Sequence, residues 1–201
     1  MNQPDKTTFV PERNSLTEDQ KKYLTILSIL RSFDGNSAQR LVQYMVREKL
    51  FQQDLRLLGQ DNFLSEHMFT QPEKKYVSEE ENDERLILEK KLGMQLRAQA
   101  KDEDKAIAAR FIIDEILYDG KDCKMEPALE NLLLSGHIIS SLGESFTDRD
   151  RIRFIHACDQ LKSHERAAKG GVWSIWLTQA ARNMRLNLSS PECEEGLAKG
   201  L

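Results

Sequence analysis

The sequence predicts an all-α fold: a compact array of about six or seven helices with flexible N- and C-terminal tails. Three observations point to it. The five prolines (Pro4, Pro11, Pro72, Pro127 and Pro191) stand far apart, so helix breakers punctuate the chain instead of interrupting it. Apolar residues recur at i, i+3, i+4 and i+7 between them. Capping residues and glycines bracket several of those apolar stretches.

Composition agrees. The chain has 201 residues, 39% hydrophobic and 31% charged, with mean hydropathy −0.58. That is too apolar for a disordered chain and suits helices with densely charged outer faces. The length allows one sizeable core or two small ones. We expect a disordered leader over 1–14, a single helical domain over 15–188 and a flexible acidic tail over 189–201. The stretch 70–78 offers a sub-boundary within the domain.

The elements follow in order. Ser15-x-x-Glu18 fits a capping box, and Thr17-x-x-Gln20 offers a second register. Tyr23, Ile26, Leu27 and Leu30 then form one apolar stripe, which Asp34-Gly35 ends. A second helix, capped by Asn36 or Ser37, is expected to reach Leu58 with Gly59 as its stop. Leu41, Tyr44, Met45, Phe51, Leu55 and Leu58 make its apolar face. Val42, Val46, Leu50 and Leu57 widen that face enough to be touched from two sides. Residues 61–69 read as a short helix or ordered loop.

Ser78-x-x-Glu81 and the acidic run of 79–84 open a narrow-faced helix over about 79–100, with Leu88, Leu92 and Leu96 at four-residue spacing. Gly93 costs it some stability. The charged run 101–105 is a solvated turn or a break. Ala108, Phe111, Ile112 and Ile116 mark a strongly apolar helix that ends at Asp119-Gly120. Pro127 suits the first position of the next helix, which carries Leu129, Leu132 and Leu133 and is expected to stop at Gly136. Thr147-x-x-Asp150 opens a helix with Ile152, Ile155 and Leu161 inward, broken or bent at Gly170-Gly171. The last helix places Trp173, Trp176, Leu177, Ala180 and Met184 on one stripe and ends at Ser189-Ser190-Pro191. No strand-hairpin signature is visible.

The motifs exclude more than they assign. No Walker A loop, G-x-G-x-x-G, G-x-S-x-G, H-E-x-x-H or EF-hand loop is present. His156 and His164 fall about 80° apart on a helix, not on one face, and Cys158 reads as a small core residue. No metal ligands, cofactor or catalytic residues are expected. Cys123, Cys158 and Cys193 are odd in number and widely spaced, which favours a reducing compartment over a disulfide framework. No apolar run nears the ~18 residues of a membrane helix, and the N-terminus lacks a secretory apolar stretch. Membrane insertion is not expected, and the cytoplasm is the expected location.

Net charge −4 and pI ≈ 5.7 weigh against nucleic acid as a partner. Residues 24–46 fit a helix-turn-helix only loosely: Gly35, Leu41 and Tyr44 suit it, but Arg31 falls where a small residue is preferred.

Two surfaces remain as candidates for binding another protein. Arg149 and Arg153 stand one helical turn apart and could form a basic ridge with Lys162 and Arg166. Local ion pairs with Asp148, Asp150 and Asp159 are the simpler reading. Trp173 and Trp176, the only tryptophans, suit an interface hot spot. Their spacing with Leu177 and Ala180 favours a core role instead.

The tail reads Ser189-Ser190-Pro191-Glu192-Cys193-Glu194-Glu195-Gly196-Leu197. Its small polar residues, glutamate cluster and terminal hydrophobe resemble the C-terminal translocation signals of bacterial type IVB secretion substrates. That resemblance covers about 13 residues and implies an effector or secretion-associated protein, translocated into a host cell. The reading carried forward is a non-enzymatic interaction protein (adaptor, chaperone or effector) that binds another protein through helical faces. The alternatives are an enzyme whose site is assembled from scattered residues and a helix-turn-helix-like nucleic-acid-binding regulator.

Overall fold

A computed structural model describes residues 17–31, 33, 35–50, 69–70, 87–88, 90–119, 125–168 and 173–189. Among them are seven α-helices: α1 Glu18–Ile29, α2 Gly35–Arg47, α3 Lys90–Gln99, α4 Asp102–Asp119, α5 Met125–Ser141, α6 Asp148–Ala168 and α7 Ser174–Arg185. The fold is all-α, as the sequence predicts. The strands are β1 Phe69–Thr70 and β2 Ile87–Leu88, an antiparallel ladder with Phe69 opposite Leu88 and Thr70 opposite Ile87. Two residues per strand are too few to show alternation, so this pairing leaves no signature in the sequence. The chain divides into two compact units, one of residues 1–28 and 32–99, the other of residues 29–31 and 100–201.

In the first unit, α1 starts from the second of the two capping registers. The Thr17 N–H donates to Gln20 Oε1 (2.8 Å), and the Gln20 N–H donates to Thr17 Oγ1 (3.2 Å). The two bonds satisfy otherwise orphaned N–H groups. The predicted stripe of Tyr23, Ile26, Leu27 and Leu30 is buried. The Tyr23 hydroxyl donates to the Ala38 carbonyl of α2 (2.9 Å), and burial pushes its pKa up, so it stays protonated. At the far end of α1, Arg97 Nε donates to the Ser28 carbonyl (2.8 Å), placing a cation where the helix exposes carbonyls.

α2 ends at Arg47, eleven residues before the expected stop at Leu58. The physical reason is a Schellman closure. The Leu50 N–H donates to the Met45 carbonyl (2.9 Å), and the Lys49 N–H donates to the Val46 carbonyl (3.0 Å). Lys49 takes the left-handed conformation (φ 55°) that such a closure requires. The sequence offers no glycine there, which is why the stop was not legible. The apolar face is also narrower than expected: Leu41, Tyr44 and Met45 are buried, but Val46 is exposed. The expected continuation through Phe51, Leu55 and Leu58 lies outside the described residues, as do 61–68 and the acidic run of 79–84. The expected helix over 79–100 is shorter, because Ile87–Leu88 is strand and α3 begins at Lys90. Gly93 is buried beside Leu88.

In the second unit α6 packs against α4, α5 and α7, and α5 also meets α4 and α7. Residues 100–101 form a break before α4. The Asp104 carboxylate then accepts from the Lys101 N–H (3.0 Å), the side-chain half of a capping box. Nearly every residue of α4 from Ala106 to Ile116 is buried, Arg110 and Glu115 being the half-buried exceptions. That is the pattern of a helix covered all round. Pro127 falls at the third residue of α5, still within the first turn, where its missing N–H breaks no helical bond.

α5 does not stop at Gly136 but continues to Ser141. Gly136 serves packing instead of termination. A Cβ built on it would meet Cζ of Phe154 at 2.7 Å and Cε2 at 3.0 Å, so the ring of α6 lies directly on the backbone of α5. Phe154 is fully buried. Nearby, Ser135 donates to the Ala109 carbonyl (3.1 Å), so a small residue also ties α5 to α4.

Gly136→Ala is expected to destabilise the protein by up to about 2 kcal/mol. The alanine gains about 1 kcal/mol in helix propensity, but the overlap costs about 1–3 kcal/mol. In a Phe154→Leu background the same change becomes neutral or favourable, and a double-mutant cycle in urea reads the coupling. Lys49→Gly is expected to stabilise by about 0.5–1 kcal/mol, because glycine adopts the left-handed cap without steric cost. A rise in the urea midpoint at unchanged m-value checks it.

Candidate partner-binding surface

Two of the cations offered for the basic ridge, Arg153 and Lys162, pair with carboxylates. Arg153 reaches across from α6 to α4 and donates from Nη2 to Oδ1 of Asp114, a buried carboxylate. Arg110 of α4 reaches the other way and grips Asp150 with two parallel bonds, Nε to Oδ1 and Nη2 to Oδ2, both 3.2 Å. The same Nη2 donates to the Ser145 carbonyl (2.7 Å), and the guanidinium stacks 5.0 Å from the Phe146 ring centroid. Gln160 adds a third α6-to-α4 link, Nε2 to the Ile116 carbonyl (2.9 Å).

Local pairing accounts for two more cations. Arg151 bonds Asp148 (3.1 Å) and the Gly143 carbonyl (2.7 Å), fixing the short 3-10 turn Gly143–Ser145. Lys162 pairs with Asp159 (3.0 Å). Arg149 is exposed, and Arg153, one turn on, is paired with Asp114. The side chain of Arg166 lies outside the described residues. Of the two arginines, Arg153 thus holds α6 to α4, and Arg149 lies exposed one turn before it.

Asp150 shows how this seam is made. Thr147 and Asp150 form the predicted capping box: the Thr147 N–H donates to Asp150 Oδ2 (3.0 Å), and the Asp150 N–H donates to Thr147 Oγ1 (3.3 Å). Burial works to raise the carboxyl pKa. Hydrogen bonds from Arg110 and Thr147, with the Arg110 charge, outweigh it and leave the group below its ordinary value.

The candidate chemical groups on α6 are dispersed. Among the described residues no three His, Cys, Asp or Glu side chains are gathered as a metal site. Cys158 is buried, and desolvation, followed by the neighbouring Asp159 charge, pushes its thiol up to about 12. A thiol held protonated in this way is a packing group, not a nucleophile. One open hollow of about 390 Å³ lies over α5, lined by Arg31, Glu130, Leu133, Leu134 and His137. Tyr23, Asp150 and Cys158, whose titration is shifted, do not line it. No described helix is long and apolar enough to cross a membrane.

α7 is different in kind. Leu177, Ala181 and Met184 turn inward and are buried. Trp173 is 40% exposed, Trp176 60%, Ile175 73% and Leu186 78%. The core role expected for the tryptophans is therefore corrected: the inward stripe runs through 177, 181 and 184, about 100° round the helix from Trp176. Of the seven exposed large hydrophobic residues among those described, these are four, all within one 14-residue stretch. The other three, Val46, Met94 and Tyr118, lie on three different helices. Ile175 and Leu186 were missed in the sequence because they fall outside the stripe on which the tryptophans were placed. Arg110 and Asp114 were also missed. Their signal was present as two opposite charges one turn apart inside an otherwise apolar helix, where buried charges require partners.

The Asp150 contribution has a defined pH window. Its lowered pKa means the stabilisation is present above the unfolded carboxyl value of about 3.9 and is lost as pH falls below it. Asp150→Asn is expected to cost about 1–2 kcal/mol at pH 7. The difference from the parent should shrink progressively as pH falls below the ordinary carboxyl value, as read by urea unfolding across the range.

Comparison of the chain with protein-family models, with curated proteins and with solved structures finds no match.

Proposed function

We propose that this chain is a non-enzymatic protein-interaction module, of adaptor, chaperone or effector type, that engages another protein through the outward side of α7. The observation that carries the reading is the clustering of Trp173, Ile175, Trp176 and Leu186 in solvent on one element. Large apolar side chains scattered singly over a surface are ordinary, but a cluster on one element marks an interaction site. Tryptophan supplies much buried area at low entropic cost, which is why it concentrates binding energy. The inward side of the same helix is packed by Leu177, Ala181 and Met184, which anchor α7 to the core. The tail resemblance supports the effector form of the reading and a cytoplasmic origin followed by translocation.

Two variants separate docking from folding. Trp176→Ala should leave the helical circular-dichroism signal and the unfolding midpoint near those of the parent. It should also weaken capture of the native partner about tenfold or more. Leu177→Ala, one residue away but facing inward, should cost about 2–5 kcal/mol of stability. Quantitative pull-downs from the native source, with and without nuclease, supply the readout. Unfolding by Trp176→Ala, or undiminished capture, would defeat the proposal. Loss of every partner on nuclease treatment would favour the nucleic-acid-binding alternative.

A further inference from the structure

We infer that the segment docking on α7 is an acidic, amphipathic helix of another protein, an inference that rests on the docking role proposed above. Ile175, Gln179, Arg182 and Leu186 fall at i, i+4, i+7 and i+11, so they form one outward stripe along the whole helix. Trp176 and Asn183 flank it on one side. Such a seam matches a second helix laid alongside, with apolar anchors at its two ends and polar groups between them. The polar middle is already ordered, since Gln179 Nε2 donates to Asn183 Oδ1 (2.8 Å).

Charge selects the occupant. α7 contains Arg182 and Arg185 and no acidic residue. Arg185 lies 3.8 Å from Asp159, whereas Arg182 has no acidic partner among the described residues. Arg182 stands between Ile175 and Leu186, so any helix that covers both anchors also covers its guanidinium. Burying that charge unpaired is strongly unfavourable, and a carboxylate facing it removes the penalty through a two-pronged bond.

A second copy of the chain fits poorly. An antiparallel pair centred between residues 180 and 181 would bring the two Arg182 side chains within about one helical turn of each other with no acid from α7. A lipid surface fits poorly as well, because Gln179, Arg182 and Asn183 interrupt the apolar stripe that an interfacial helix needs.

The test places a benzophenone-bearing amino acid at position 179 of the full chain and cross-links it in lysate of the native source. The adduct is identified by mass spectrometry, and the captured segment is made as a synthetic peptide. The expected segment is helical and acidic, with apolar residues at helical spacing. Its affinity should fall about tenfold or more on Arg182→Glu, with the chain's circular dichroism unchanged, and should return when the facing peptide carboxylate is replaced by arginine. The inference is overturned by a captured segment without acidic residues, or by affinity that Arg182→Glu leaves unchanged. Cross-linking to a second copy or to the chain's own residues 190–201 also overturns it. So does co-sedimentation with phosphatidylcholine–phosphatidylserine vesicles in place of a protein adduct. In those cases another occupant holds the α7 face. If no adduct forms at 179 and Trp176→Ala retains every partner, the docking role itself falls and the inference with it.

Discussion

The second unit depends on one close approach, the Phe154 ring lying on the bare Cα of Gly136. α6 is the helix that meets α4, α5 and α7, and Phe154 is fully buried near its middle. A helix that must touch three neighbours needs short interaxial distances, which small residues permit. Gly136 on α5 supplies one such site. Ser135, which bonds back to the α4 backbone, supplies the next. The helix-breaking tendency of glycine is thereby overridden, because the apolar area buried by the ring exceeds the local propensity cost.

A second constraint is electrostatic. α4 is covered on nearly all sides, yet it carries Arg110 and Asp114 one turn apart. Each finds an opposite charge on α6, Asp150 and Arg153 respectively. An apolar seam would hold α4 to α6 in several sliding registers. Two ion pairs of opposite polarity, with the Gln160 bond to Ile116, are satisfied together in one. The same guanidinium of Arg110 also holds the Ser145 carbonyl and the Phe146 ring, so the turn before α6 is set by the pair that sets the register. Arg153, which the sequence offers to a surface ridge, is in this way used inside the unit.

α7 shows the opposite use of its residues. One side is buried through Leu177, Ala181 and Met184, while tryptophan, isoleucine and leucine remain in solvent on the others. A chain selected for solubility alone has no reason to leave both of its tryptophans there. The charges on the α4–α6 seam are paired, whereas Arg182 stands on the stripe between Ile175 and Leu186. The proposed docking role follows from that contrast between a satisfied interior and an unsatisfied surface.

The sequence by itself determined the helical class, the Thr147 cap, and the inward stripes of α1, α4 and α6, and it narrowed the first cap to two registers. These depend on residues three or four apart, and local spacing is what a linear chain records directly. Tertiary structure decided the rest. Gly136 reads as a stop until the Phe154 ring is placed on it, and α2 ends at a lysine because a carbonyl closure, not a glycine, caps it. Arg153 reads as a surface cation until Asp114, thirty-nine residues away, is seen beside it. On α7 apolar residues occupy more than one side, so periodicity leaves its phase undetermined, and only packing against α6 and α5 selects which side is buried. The candidate site consists of the residues left over by that choice, and no local spacing rule could have named it.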